Sequence, residues 1–98
     1  MSSPIIDLSK LRDIGWSLWD PIGLMPEGWT WRDDDAAGFE DEYDSYLQNA
    51  AAQLLQGAPA AEVVNYLVKV ETVLMSLSQR PDTMLRAQAV VHAILAEA

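Results

Sequence analysis

The stretch from Trp16 to Tyr46, WSLWDPIGLMPEGWTWRDDDAAGFEDEYDSY, constrains the fold more than any other part of the chain. It holds all four tryptophans (Trp16, Trp19, Trp29, Trp31), the single phenylalanine, Phe39, and two of the three tyrosines, Tyr43 and Tyr46. It also carries Asp20, Glu27, Asp33, Asp34, Asp35, Glu40, Asp41, Glu42 and Asp44, against Arg32 alone. Burying one such ring removes on the order of 150–250 Å² from water. The rings therefore favour a stretch packed down on a core, with its acids left in solvent.

The punctuation of the chain divides it around that stretch. Pro21, Gly23, Pro26, Gly28 and Gly38 break any regular element between residues 20 and 38, which reads as one long connection. Loops of that length in small domains are functional or held down by their own side chains. On either side the apolar spacing is helical. Asp7 N-caps a first helix, near 8–19, with Leu8, Leu11, Gly15, Leu18 and Trp19 on one face. Pro21 disfavours helical geometry at Asp20 and ends it. A second helix, near 39–56, carries Tyr43, Tyr46, Leu47, Ala50 and Leu54, and Gly57 suits its left-handed cap. A third, near 60–77, opens after Pro59 and shows Val63, Tyr66, Leu67, Val70, Leu74 and Leu77, broadened by Val64 and Val73. Arg80-Pro81-Asp82 separates it from a fourth, near 82–96, with Leu85, Gln88, Val91 and Leu95 along one edge. The expected fold is all-α: a single domain over 1–98, built as a small antiparallel four-helix bundle with a long aromatic- and acid-rich loop between helices one and two.

Ninety-eight residues suffice for one core, since a chain of this size buries roughly 60–70% of its unfolded surface. Without cysteine there is no disulfide framework, thiol nucleophile or cysteine metal site. The apolar runs are too short to span a membrane, and MSSPIIDLSK lacks the features of a signal peptide, so a cytoplasmic protein is expected. The formal charge of -9 repels nucleic acid phosphates and anionic membranes and attracts basic surfaces. Eight acids lie between Asp33 and the next base, Lys69, so that charge is concentrated. Helix-dipole stabilisation accounts for part of the cluster at 40–44, at about 0.3–1 kcal/mol per exposed anion, and solubility is the competing reason for the rest.

No catalytic constellation stands out. Asp33, Asp35, Gly38 and Asp44 occupy positions one, three, six and twelve of a calcium-loop pattern, but Ala37 stands at position five and the bidentate glutamate is absent. A solvated acidic loop is the better reading, and neither metal nor cofactor is expected. His92, the only histidine, lies among Ala89, Val91 and Ala93, with nothing to make it a base or a ligand. Neighbouring solvated carboxylates do not supply the desolvated acid that acid–base catalysis needs. Asp20, at the exit of the first helix, can accept bonds from amides two or three residues on and fix the turn.

Trp19-Asp20-Pro21-Ile22-Gly23-Leu24, followed by Asp41-Glu42-Tyr43-Asp44-x-Tyr46, resembles a family of small acidic bacterial proteins of unknown function that carry a WDPIGL element and a DEYD-type element. From the first motif to the end of the second, residues 19–46, the resemblance spans nearly a third of the chain. The resemblance implies a small all-α fold and no established activity, with Trp19, Asp20, Pro21, Gly23 and Tyr43 as its structural signature. Three functional readings are open. The first is a non-enzymatic immunity or inhibitor protein. It would hold a basic protein partner through Asp33, Asp34, Asp35, Glu40, Asp41, Glu42 and Asp44, with Trp29 and Trp31 at the edge of the patch. The second is a small metal-dependent protein or enzyme using the carboxylates of 33–44. The third is a homodimer through helix three, where Val63, Val64, Val70 and Val73 exceed one core seam.

Overall fold

The computed structural model of the chain describes residues 7–23, 30–32, 38 and 40–97. Among them the regular structure is entirely helical, in four segments, with no strand. The first, α1 (Leu8–Ile14), opens where the Asp7 carboxylate accepts from the Ser9 amide at 3.0 Å. It continues as a π-helical turn, Gly15–Trp19, which closes with the Asp20 amide on the Gly15 carbonyl, five residues back, at 2.9 Å. α2 spans Asp44–Leu55, and Gly57, at φ 96°, ends it. The Gly57 and Ala58 amides return to the Leu54 and Gln53 carbonyls, the paired bonds of a left-handed cap. α3 spans Ala60–Lys69 and also passes into a π-helical turn, Val70–Leu74, closed by Met75 N on Val70 O at 2.8 Å. Ser76, at φ 56°, turns the chain away in the left-handed region. α4 is Thr83–Glu97.

The two π turns rearrange which side chains face inward. A bond to the fifth residue back holds an extra residue in the turn, so the helical phase slips. In the first turn Trp16 and Trp19 are both buried, while Leu18, expected on the inner face, is exposed. In the second Glu71 is fully buried, while Leu74, expected in the stripe, is 64% exposed. The helix also stops short of the expected residue 77. α2 begins at Asp44 rather than near the expected residue 39. Residues 40–43 form a turn instead, with Asp44 N on Asp41 O at 3.2 Å. Tertiary demands explain it: the Trp16 indole takes the Glu40 carbonyl at 3.1 Å, and Tyr43 is drawn wholly into the core. Phe39, the expected start, lies outside the described residues.

The core joins Leu11, Ile14, Trp16 and Trp19 from the first segment to Tyr43, Leu47 and Ala50, to Val63, Leu67 and Val70, and to Ala87, Val90 and Ile94. Gly15 lets α1 and α2 meet: a Cβ there would stand 2.5 Å from Leu47 Cδ1. Trp16 and Trp19 pack against Tyr43 with ring centroids at 4.6 and 5.3 Å, tilted geometries that aromatic pairs favour.

Candidate protein-binding surface

The turn after Trp19 is tied by several hydrogen bonds to other parts of the chain. Asp20 sits at φ 29°, a left-handed conformation that Asp tolerates better than most residues. Its carboxylate accepts from Gly23 N at 3.2 Å, the local turn chemistry that the sequence implies, and from the Tyr43 hydroxyl at 2.8 Å. The same hydroxyl accepts from Ile22 N at 3.2 Å. Burial, reinforced by the bond to Asp20, raises the Tyr43 phenol far above its ordinary value, so it remains a donor at all ordinary pH. Thus Trp19, Asp20, Pro21, Gly23 and Tyr43 form one continuous unit, with Trp19, Pro21 and Tyr43 buried.

Behind that turn lies a polar network that sequence reasoning missed. The buried Glu71 carboxylate receives Arg86 Nη1 at 3.0 Å, Arg86 Nη2 at 2.8 Å and the Thr83 hydroxyl at 2.9 Å. Arg86 also donates to the Trp19 carbonyl at 3.1 Å, and Arg80 donates to the Pro21 carbonyl at 2.8 Å. Burial opposes the charge on Arg86, but the bonds to Glu71 and Asp82 outweigh it and raise its pKa. Arg86 in turn holds the exposed Asp82 below the ordinary carboxylate range. The available signal was Glu71 itself, an acid next to Val70 and two residues before Val73 in a segment read as part of an apolar stripe. An acid in such a segment is expected to pair if it is buried.

The acidic residues are not equivalent. Asp41 and Glu42 are exposed and Glu40 is half-buried. Asp44 is engaged by Arg12 through both oxygens, Nε to Oδ1 at 3.0 Å and Nη2 to Oδ2 at 2.7 Å. That bidentate bond, with lesser contributions from Glu40 and Asp41, raises the Arg12 pKa. The residue at the twelfth position of the calcium-loop pattern is thus engaged with an arginine on both oxygens. Trp31 is half-buried against α1. Its indole donates to Asp13 at 2.8 Å, and the guanidiniums of Arg32 and Arg12 lie 4.3 and 5.1 Å from its ring centre. Arg32 also pairs with Asp13, and the bonds from Arg32 and then Trp31 hold that carboxyl below its ordinary range. Trp31 thus fastens the connection to α1, its ring already stacked by two cations. Trp29, Asp33, Asp34 and Asp35 lie outside the described residues.

Four of the six basic side chains, Arg12, Arg32, Arg80 and Arg86, are in ion pairs with Asp44, Asp13, Glu71 and Asp82. The positive charge is therefore largely committed within the fold. Among the described residues no three His, Asp or Glu side chains converge as metal ligands, and no helix is long and apolar enough to cross a membrane. His92 is exposed, on a groove lined also by Ala60, Ala61, Val64 and Leu95. Comparison with known proteins returns no matching family model, curated protein or solved structure.

Proposed function

We propose that this is a non-enzymatic binding protein of the immunity or inhibitor type, which holds a basic protein partner on its acidic surface in the cytoplasm. In this reading Glu40, Asp41 and Glu42, with Asp33, Asp34 and Asp35, meet the partner's cations, and Trp29 anchors the contact. Asp44 and Trp31 support the patch from behind, through Arg12 and Asp13. The single observation that carries the reading is the distribution of pairs. The arginines of the fold already have carboxylate partners, yet Asp41 and Glu42 stand exposed on a chain of net charge -9. Such a field attracts a basic surface and speeds its association. The arrangement of the four helices as an antiparallel bundle, the long connection on one end of it, and kinship with the bacterial WDPIGL and DEYD proteins belong to the same proposal.

The test is capture from a lysate of the source cell at low and high salt. The bait is either the native chain or a variant with Asp33, Asp34, Asp35 and Asp41 changed to Asn and Glu42 to Gln. The native chain should retain a basic protein at low salt and release it at high salt, and the variant should fail to retain it. Equal recovery of that protein by both baits would dispose of the reading.

A further inference from the structure

The outward face of α3 carries a charge pattern that is complementary to itself. Glu62, Tyr66 and Lys69 recur at intervals of four and three, so they form one stripe along α3, and Val73 extends it in the π turn, where it lines a groove with Tyr66 and Lys69. The adjoining face of the same helix supplies Val63, Val64, Leu67 and Val70 to the core, and Tyr66 packs against its edge. Glu62 and Lys69 are exposed, and neither is in an ion pair among the described residues. At the C-terminal end of the stripe an apolar groove of about 230 Å³ is lined by Tyr66, Lys69, Val70, Val73 and Leu74. Val73 and Leu74 are each 64% exposed. The π turn is the reason for Leu74: the inward position went to Glu71. The Tyr66 hydroxyl accepts from Asn49 at 3.3 Å, which holds the ring at the edge of the groove.

Three features select the occupant. First, the stripe pairs one acid with one base, so it is locally neutral on a strongly acidic chain. Here two copies can approach without the repulsion that opposes contact at the acidic surface. Second, a two-fold contact sets residue i against residue j and j against i. Two antiparallel α3 helices crossing between Asn65 and Tyr66 place Glu62 of each copy opposite Lys69 of the other. A parallel pair would instead set glutamate on glutamate and lysine on lysine. Third, the same antiparallel register brings Val73 and Leu74 over residues 57 and 58 of the other copy, in the turn between α2 and α3. Exposed Leu55 and Pro59 flank that turn. We propose that a second copy of this chain docks antiparallel on α3, with two Glu62–Lys69 pairs bracketing Tyr66 and the apolar groove closed by the other copy's α2–α3 turn. The stripe is about 18 Å long at 1.5 Å per residue. The contact is therefore at the small end of protein interfaces, and the dimer is concentration-dependent. The inference rests on α3 and its flanking turn and is independent of the basic partner.

Sedimentation equilibrium across the micromolar range tests it. The native chain should pass from monomer to dimer as concentration rises. Glu62→Lys and Lys69→Glu should each raise the dissociation constant about tenfold, because both pairs become repulsions. The double variant carrying both reversals should return to native affinity, since the swapped charges again oppose one another. Both positions are exposed, so circular dichroism should be unchanged; if a reversal unfolds the chain, Glu62→Gln and Lys69→Gln serve in its place. A native chain that is monomeric throughout, single variants that dimerise like the native chain, or a double variant as weak as the singles would each overturn the proposal.

Discussion

Replacing Glu71 with Gln isolates the charge of the buried network while preserving its shape. Every carboxylate oxygen is an acceptor here: Oε1 receives Arg86 Nη1, and Oε2 receives Arg86 Nη2 and the Thr83 hydroxyl. Whichever way the amide is turned, its NH₂ group faces a guanidinium NH₂, donor against donor. One charge-assisted bond is lost, at about 1.5–3 kcal/mol. Arg86, whose side chain is only 16% exposed, keeps Asp82 and the Trp19 carbonyl but loses its one buried counter-charge. Breaking one side of a buried pair costs ~3–5 kcal/mol when nothing compensates. Asp82 and the carbonyl compensate in part, so the expected loss is about 3 kcal/mol. For a domain near 100 residues that lowers Tm by roughly 12 °C. Urea melts followed by circular dichroism should show a lower midpoint at unchanged slope. Because Arg80 and Arg86 hold the Pro21 and Trp19 carbonyls, amide exchange at Ile22 and Gly23 should quicken in the same variant. A loss under about 1 kcal/mol would refute the reasoning, because the pair would then contribute no more than a surface one.

Three further outcomes follow from the packing and the titrations. Trp19→Ala should cost ~3–5 kcal/mol in the same melts, as deletion of a large buried ring does; a loss below about 1 kcal/mol would contradict its place in the core. Gly15→Ala sets a gain of roughly 0.5–1 kcal/mol in helix propensity against overpacking of ~1–3 kcal/mol where the new methyl meets Leu47. The net should be destabilising by about 1 kcal/mol, and a stabilised variant would show that Leu47 swings aside freely. The pH profile should fall on both sides. Asp13 and Asp82 have folded pKa values below their ordinary 3.8, so their stabilisation is present above that value and is lost as pH falls through the folded ones. Tyr43 has a folded pKa above its ordinary 10.0, so its stabilisation is complete below 10.0 and is lost as pH rises from there toward the folded value. Thermal melts from acid to alkaline pH check both limbs, and Tyr43→Phe should flatten the alkaline one.

The existence of the helices was legible from spacing, and so were two of their caps. Asp7 and Gly57 do what their types and positions imply, because capping is a local matter. The phase within the helices was not legible in α4, where Leu85 and Leu95, expected along the inner edge, are exposed while Ala87, Val90 and Ile94 face the core, nor was it after Gly15 or after Lys69. A π turn is fixed by what it buries, here Trp16 in one case and Glu71 in the other, and those partners lie elsewhere in the chain. The start of α2 was misplaced for the same reason: the demand of Tyr43 for burial against Trp16 and Trp19 outweighs the dipole preference for acids in a first helical turn. At the acidic surface, composition alone marked residues 40–44 as solvated. It could not separate Asp41 and Glu42 from Asp44, whose partner Arg12 lies 32 residues away. Nor could it show Trp31 turned back on Asp13.

The most direct measurement of the binding account is the salt dependence of the association rate between this chain and the basic protein it captures. The native rate should fall by roughly tenfold or more between low salt and about 0.5 M, while dissociation changes little. Neutralising Asp41 and Glu42 together with Asp33, Asp34 and Asp35 should lower the low-salt rate and flatten that dependence. A native association rate indifferent to salt, or one unchanged by the neutralised surface, would contradict the claim that these acids recruit the partner.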